Sequence, residues 1–240
     1  MLQVKLLSKT ENPIPLIYAA FRQCYSPHSI PQLWETFLSD NKDVQEDFIK
    51  KLIQTSHHSP IEHVSFTFAV TGYSRISSQQ LTRHRIASFS QRSQRYVNEN
   101  NFTFITPPSI KKNSKAEKIF LNFMEQARET YQKLVAAGIP EEDARFVLPN
   151  ATETQLIFTM NCRELIHFLG LRLCERAQWE TRNLARQVHE ILKQELPAIF
   201  KAVGPQCKNL GYCPENQFSC GKYPTKKELL THAQSLLQQT

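Results

Sequence analysis

The residues with the strongest chemical character lie in one stretch, Arg83-His84-Arg85-Ile86-Ala87-Ser88-Phe89-Ser90-Gln91-Arg92-Ser93-Gln94-Arg95-Tyr96. From His63 to Asn98 the chain has no Asp, Glu or Lys, yet it carries Arg75, Arg83, Arg85, Arg92 and Arg95. A solvated face mixes both signs and uses Lys freely, because an ammonium is readily left in water. Arginine alone, interleaved with Ser and Gln, suits phosphate: guanidinium forks bind its oxygens in pairs, and hydroxyls and amides take those left over. Something outside the chain is expected to answer this charge. Charge alone leaves a basic nucleic-acid patch or a structural arginine network equally open.

Two further groupings could do chemistry. His57-His58-Ser59-Pro60-Ile61-Glu62-His63 packs three histidines around a proline, but close-spaced His in a turn are more often polar scaffold than metal ligands. Cys207, Cys213 and Cys220 follow a Cys-x5-Cys-x6-Cys spacing around Gly211, Pro214 and Gly221, with His232 the candidate fourth ligand. That is not a standard zinc spacing, and no metal is expected. Ser93 is a possible nucleophile, but the base at hand is His84, flanked by arginines that disfavour added positive charge. Ser93 is therefore read as a ligand to phosphate or to a base edge.

The elements that must position these groups follow from periodicity. Leu2 to Leu7 reads as a strand, with helices at Pro15 to Cys24, Ile30 to Leu38 and Asp43 to Thr55. Val64, Phe66, Phe68 and Val70 alternate with polar or small residues as a half-buried strand. A short helix, Ser74 to Thr82, delivers Gln80 and Arg83 to the arginine-rich loop. Ser114-Lys115-Ala116-Glu117 reads as a capping box opening a helix whose stripe is Ile119, Phe120, Phe123, Ala127, Tyr131 and Leu134. Pro140 to Leu148 reads as a short helix with acids in its first turn, where Arg145 can pair with them. Thr154 to Met160 alternates as a strand, Asn161 caps the helix after it, and a long helix opens at Trp179 with Leu184, Val188, Ile191 and Leu192 inward.

A chain of 240 residues has ample length for a core, and no linker, repeat or low-complexity run divides it. One domain over 1–204 with a Cys-containing tail over 205–240 is expected. There is no apolar run of membrane-spanning length, and Met1-Leu2-Gln3-Val4-Lys5 is not a signal-peptide pattern. The six cysteines then read as reduced thiols, and a cytoplasmic location is expected. Net charge of +7 suits any polyanion and does not choose between nucleotide and nucleic acid.

The order of residues does choose. Arg83-His84-Arg85, then Ser88, Ser93 and Arg95-Tyr96 at their spacing, resembles the signature of the flavin-dependent thymidylate synthases. Ser90 stands where that pattern often has Asn, and Gln91 where an acid is common. The histidine turn resembles a family turn that lies against the flavin, Ala144-Arg145 with Leu148-Pro149 resembles the place of another dUMP-binding arginine, and Asn161 to Arg172 resembles a third block. Together these cover roughly Ser59 to Phe200.

The resemblance implies an α/β (α+β) fold, a mixed sheet with flanking helices, in a homotetramer with active sites shared between subunits. It implies FAD held by His57, Ser59, Arg83, His84, Arg85, Gln91, Asn161, Cys162, Arg163 and His167. It implies dUMP held by Gln80, Leu81, Thr82, Arg83, Gln91, Arg92, Ser93, Gln94, Arg95, Arg145 and Arg172, with Arg172 as the catalytic group that polarises the uracil. The expected reaction is methylation of dUMP to dTMP with 5,10-methylenetetrahydrofolate as carbon donor, reduced FAD as hydride donor and NADPH re-reducing it. Neither nucleic acid nor membrane is an expected partner. The competing readings are residue by residue: His167 as a core histidine, Arg145 paired with its neighbouring acids, and Arg172 paired with Glu175 or set against a helix dipole.

Overall fold

A computed structural model describes residues 1–55 and 57–237. In chain order the elements are β1 (Gln3–Lys9), α1 (Pro13–Arg22), α2 (Ile30–Ser39), α3 (Lys42–Ile53), a 3-10 turn (Ser59–His63), β2 (Ser65–Ser74), α4 (Arg75–Leu81), β3 (Ala87–Gln91), α5 (Pro108–Lys111), α6 (Ser114–Ala136) and α7 (Glu141–Ala144). After a second 3-10 turn (Arg145–Val147) come β4 (Glu153–Asn161), α8 (Cys162–Arg172), α9 (Trp179–Glu195), α10 (Pro197–Phe200), α11 (Gln206–Leu210), a third 3-10 turn (Asn216–Phe218) and α12 (Lys226–Leu237). The strands pair in the order β1-β2-β4-β3. The α/β class expected from the sequence holds. Its one sheet is open and antiparallel, so it is not the mixed sheet anticipated. Among the described residues no helix is long and apolar enough to cross a membrane.

The chain divides into two compact units: Met1–Lys5 with Phe68–Phe158, and Leu6–Thr67 with Thr159 onward. In the first, Phe68 and Val70 alternate inward along β2, and Phe68 stacks on Phe158 of β4 at 5.3 Å between ring centroids. The long helix α6 buries Met124, Ala127 and Tyr131, each large side chain contributing about 1.5–3 kcal/mol by leaving water. Its stripe is narrower than expected, because Ile119 and Phe123 are exposed. Its N-cap is Asn113, whose Oδ1 accepts from the Lys115 and Ala116 N–H groups. Ser114 was the expected cap, and Asn one residue earlier does the same work.

The stretch expected to be a loop contains a strand. In β3, Ala87, Phe89 and Gln91 are half-buried while Ser88 and Ser90 are exposed, a period of two carried largely by small polar residues. The helix expected over 140–148 is a single turn, α7, followed by a 3-10 turn.

In the second unit Tyr18, Ala19, Leu33 and Phe37 form one buried cluster, with Tyr18 edge-on to Phe37 at 4.7 Å and to Phe48 at 5.0 Å. Around α8 and α9 the buried set is Leu165, Phe168, Leu169, Leu184, Ala185, Val188 and Leu192. Gln45 is buried in α3, where its amide donates to the Phe37 carbonyl at 2.8 Å.

One position in the first unit admits only glycine. Gly72 has φ +67, and a Cβ placed there would lie 2.3 Å from the Met1 carbonyl oxygen. Gly72→Ala meets both the left-handed strain, about 1–2 kcal/mol, and a backbone clash, so an unfolding free energy lowered by at least the former, seen as a lower urea midpoint, is expected. Chemical denaturation of the two proteins side by side measures it.

Candidate functional site

In the first unit the arginine-rich stretch begins where α4 ends. Ser74 caps α4 by accepting from the Ser77 N–H at 3.2 Å, and the last turn carries Gln80, Leu81 and Thr82. Leu81 is fully buried, so only its backbone can face a ligand, and its carbonyl accepts from the His84 N–H at 3.1 Å. Gln80 is half-buried and Thr82 exposed. His84 is buried, whereas Arg83 and Arg85 on either side are exposed and make no side-chain hydrogen bond or ion pair among the described residues.

Further along, the charge is partly answered within the chain, which corrects the expectation that something outside it must do so. Arg92 Nε lies 3.6 Å from Glu99 Oε1, and Arg95 Nε lies 2.5 Å from Glu142 Oε2. The Arg95 guanidinium also sits over the Tyr96 ring, 5.2 Å from its centroid. Arg145 donates through Nε to the Glu142 backbone carbonyl at 3.0 Å, so the acids of α7 hold Arg95 by charge and Arg145 by main chain. Ser93 Oγ accepts from the Arg95 N–H at 3.1 Å, which fixes the turn after β3. Gln91, where an acid is the more usual residue of the resembled pattern, donates its amide to Ser78 Oγ at 2.9 Å and Thr154 Oγ1 at 3.2 Å. Gln94 is half-buried.

Glu99 is the residue the sequence reading missed. It is the first acid after the arginine desert, and it is only 3% exposed. Helix α6 holds it and the segment that follows: the Glu99 N–H donates to Tyr131 Oη at 3.2 Å, Gln132 Nε2 to the Asn100 carbonyl at 2.8 Å and Arg128 Nη2 to the Phe102 carbonyl at 3.1 Å. Arg92, Glu99, Asn100 and Glu153 line a polar cavity of about 260 Å³. Burial pushes the Glu99 carboxyl above its usual range, and Arg92 and then Arg75 pull it back. Burial, and then the like charge of Arg145, pushes Arg75 below the usual arginine value, with Glu99 opposing. Arg75 and Arg92 thus share the field of one carboxylate.

In the second unit the histidine turn and the start of α8 come together. Arg163 is ion-paired with Glu62. The Cys162 N–H donates to the Val64 carbonyl at 2.8 Å, and Asn161 Oδ1 accepts from the Glu164 N–H at 2.9 Å as the expected cap. Ser59 and His57 are exposed beside this helix start, while His58 bonds the Ile53 carbonyl at 3.2 Å. Cys162 is fully buried, and burial pushes its thiol far above the usual range, which removes it as a nucleophile. His167 is exposed on α8, and Arg172 is half-buried in its last turn. Glu175, the acid nearest Arg172 along the chain, faces Lys222 at 2.8 Å, Arg182 at 3.1 Å and Arg186 at 3.6 Å.

The raised Glu99 pKa gives a signed pH effect. The folded state binds this proton more tightly than the unfolded state, whose carboxyl titrates near 4.5, so stability falls as pH rises from there through the folded value. Glu99→Gln is expected to remove that slope, read as the urea midpoint against pH for both proteins.

The family model described as "Thymidylate synthase complementing protein" matches residues 5–198. Among curated relatives, the flavin-dependent thymidylate synthase of Nitratidesulfovibrio vulgaris is 44% identical over 238 residues, spanning 95% of this chain and 97% of the relative. That of Clostridium tetani is 43% identical over 247 residues, spanning 95% and 96%. That of Pyrococcus abyssi is 42% identical over 226 residues, spanning 90% and 91%. With a family match over most of its length and relatives alike along nearly the whole of theirs, the chain belongs to the flavin-dependent thymidylate synthases.

Proposed function

We propose that this enzyme methylates dUMP to dTMP reductively, with 5,10-methylenetetrahydrofolate as carbon donor and FAD, re-reduced by NADPH, as the bound cofactor, in de novo dTMP synthesis. The observation that carries the reading is a set of cations aligned for phosphate. Arg83 and Arg85 are exposed and unpaired among the described residues, while Arg92, Arg95 and Arg145 are held in place by Glu99 and Glu142. Unengaged guanidinium forks fit the diphosphate of a dinucleotide and the phosphate of a mononucleotide, because each presents paired donors to paired oxygens.

FAD would supply the hydride when bound. Arg83, His84, Arg85, Gln91, His57, Ser59, Asn161, Cys162, Arg163 and His167 would hold it, Cys162 through its backbone. Gln80, Leu81, Thr82 and Arg83, with Gln91 to Arg95 and Arg145, hold dUMP. Gln91 has its amide taken by Ser78 and Thr154, so it meets a ligand through its carbonyl oxygen. Arg172 supplies a fixed planar cation at the uracil N3 and carbonyl edge, which draws the ring toward its negative form and raises electron density at C5. No protein nucleophile takes part: the Cys162 thiol stays protonated, and the Ser93 oxygen accepts from the Arg95 N–H while its O–H is left to donate to dUMP. The enzyme works as a cytoplasmic homotetramer with sites shared between subunits.

Visible flavin absorption in the purified protein, and dTMP formation that depends on NADPH and the folate, test the reading. A colourless protein that ignores dUMP and binds RNA with a steep salt dependence would sink it. Arg172→Ala is expected to keep flavin and its reduction by NADPH while dTMP formation falls about 10²–10³-fold, with Arg172→Lys recovering only part. Ser93→Ala is expected to weaken dUMP binding by about 1–3 kcal/mol and to leave measurable turnover.

A further inference from the structure

The C-terminal region is folded without a core of its own. Between residues 205 and 235 the one buried residue is Cys213, yet α11, a 3-10 turn and α12 all form there. Short elements that bury so little usually need a covalent or metal staple. Among the described residues no cysteine is in a disulfide.

Four of them meet at one place. Cys174, Cys207, Cys213 and Cys220 line a single small cavity of about 70 Å³, together with Gly170 and Pro205. They arrive from four different points: Cys174 just past the end of α8, Cys207 in α11, Cys213 in an isolated bridge to Thr225, and Cys220 before Gly221 with its left-handed φ of +80. The Cys213 N–H donates to the Pro224 carbonyl at 2.7 Å, which holds its sulfur at the cavity wall. Arg176 and Lys222 also line the cavity, with Glu175 and Glu215, and Lys222 is paired with Glu175 at 2.8 Å.

We propose that Cys174, Cys207, Cys213 and Cys220 form a structural tetrathiolate site for a zinc-type divalent ion, which fastens the C-terminal region to the end of α8. Four soft sulfur donors favour tetrahedral zinc over hard cations, and no position is left open for chemistry. The four thiols release four protons to solvent as the ion binds, giving a complex of charge −2 with the Arg176 guanidinium among its neighbours. The sulfurs ring the cavity without being gathered to within 4.8 Å of one another, so binding draws them inward. No metal was expected from Cys-x5-Cys-x6-Cys because that is not a standard zinc spacing; Cys174, the fourth thiol of the cavity, lies upstream beyond α9 and α10. His232, the candidate fourth ligand from spacing, instead lines a separate cavity with Tyr223, Thr225 and Ser235.

The test uses the full chain, purified under reducing conditions and supplied with zinc chloride, with metal measured by plasma mass spectrometry. About one zinc per chain is expected, falling below about a tenth in Cys174→Ser and Cys220→Ser and unchanged in Cys24→Ser, whose thiol lies outside the set. In case the variants fail to fold, the unaltered protein carries a second readout. Stripping the metal with a chelator should expose four additional thiols to Ellman's reagent and speed tryptic cleavage at Lys222, Lys226 and Lys227 by an order of magnitude or more. A reduced, folded chain that takes up no zinc, or one in which these sulfurs pair as disulfides by mass spectrometry, would overturn the site.

Discussion

Two carboxylate residues, Glu99 and Glu142, hold Arg92, Arg95 and Arg145 of the first unit, while Arg83 and Arg85 stay unpaired among the described residues. Glu142 takes Arg95 by its side chain and Arg145 by its carbonyl; Glu99, buried and anchored by Tyr131, sets Arg92 and biases Arg75. Removing water from Glu99 costs energy, and its arginine neighbours recover only part of it, as its raised pKa records. The positions of β3, of α6 with its Arg128, Tyr131 and Gln132 contacts, and of the short α7 all follow from keeping these two acids where they are.

The second unit relies on a different device. There the start of α8 is defined by Asn161 capping it, by Cys162 tied to Val64 and by Arg163 paired with Glu62. At its other end, Glu175 gathers Lys222, Arg182 and Arg186, a network of exposed pairs that are individually weak and collectively hold the last turn and the C-terminal region near one another.

Much of this was legible in the chain because it depends on residue type and short spacing. Alternation along 64–70, the cap at Asn161 and the stripe of α9 were each readable and each formed. What escaped depends on contacts distant in sequence. β3 was invisible because its alternating pattern is mostly serine rather than valine or isoleucine, and only pairing with β4 makes it a strand. Gln91 read as a ligand contact, yet its amide spans Ser78 and Thr154, neither near it in sequence. Nothing in the residues around Glu99 or Cys174 singles them out; burial marks the first and the lining of one cavity the second.

The exclusion of lysine from the stretch between His63 and Asn98 has a last consequence. Guanidinium groups stay protonated far above any pH a cell reaches, and none of the exposed cations in that stretch is an ammonium. The arginines proposed to meet phosphate are therefore nearly constant in charge, whereas a phosphate monoester has a second ionisation near neutrality. Dissolved ions, which screen such charges within about 8–10 Å at physiological strength, act on this surface more strongly than acidity does.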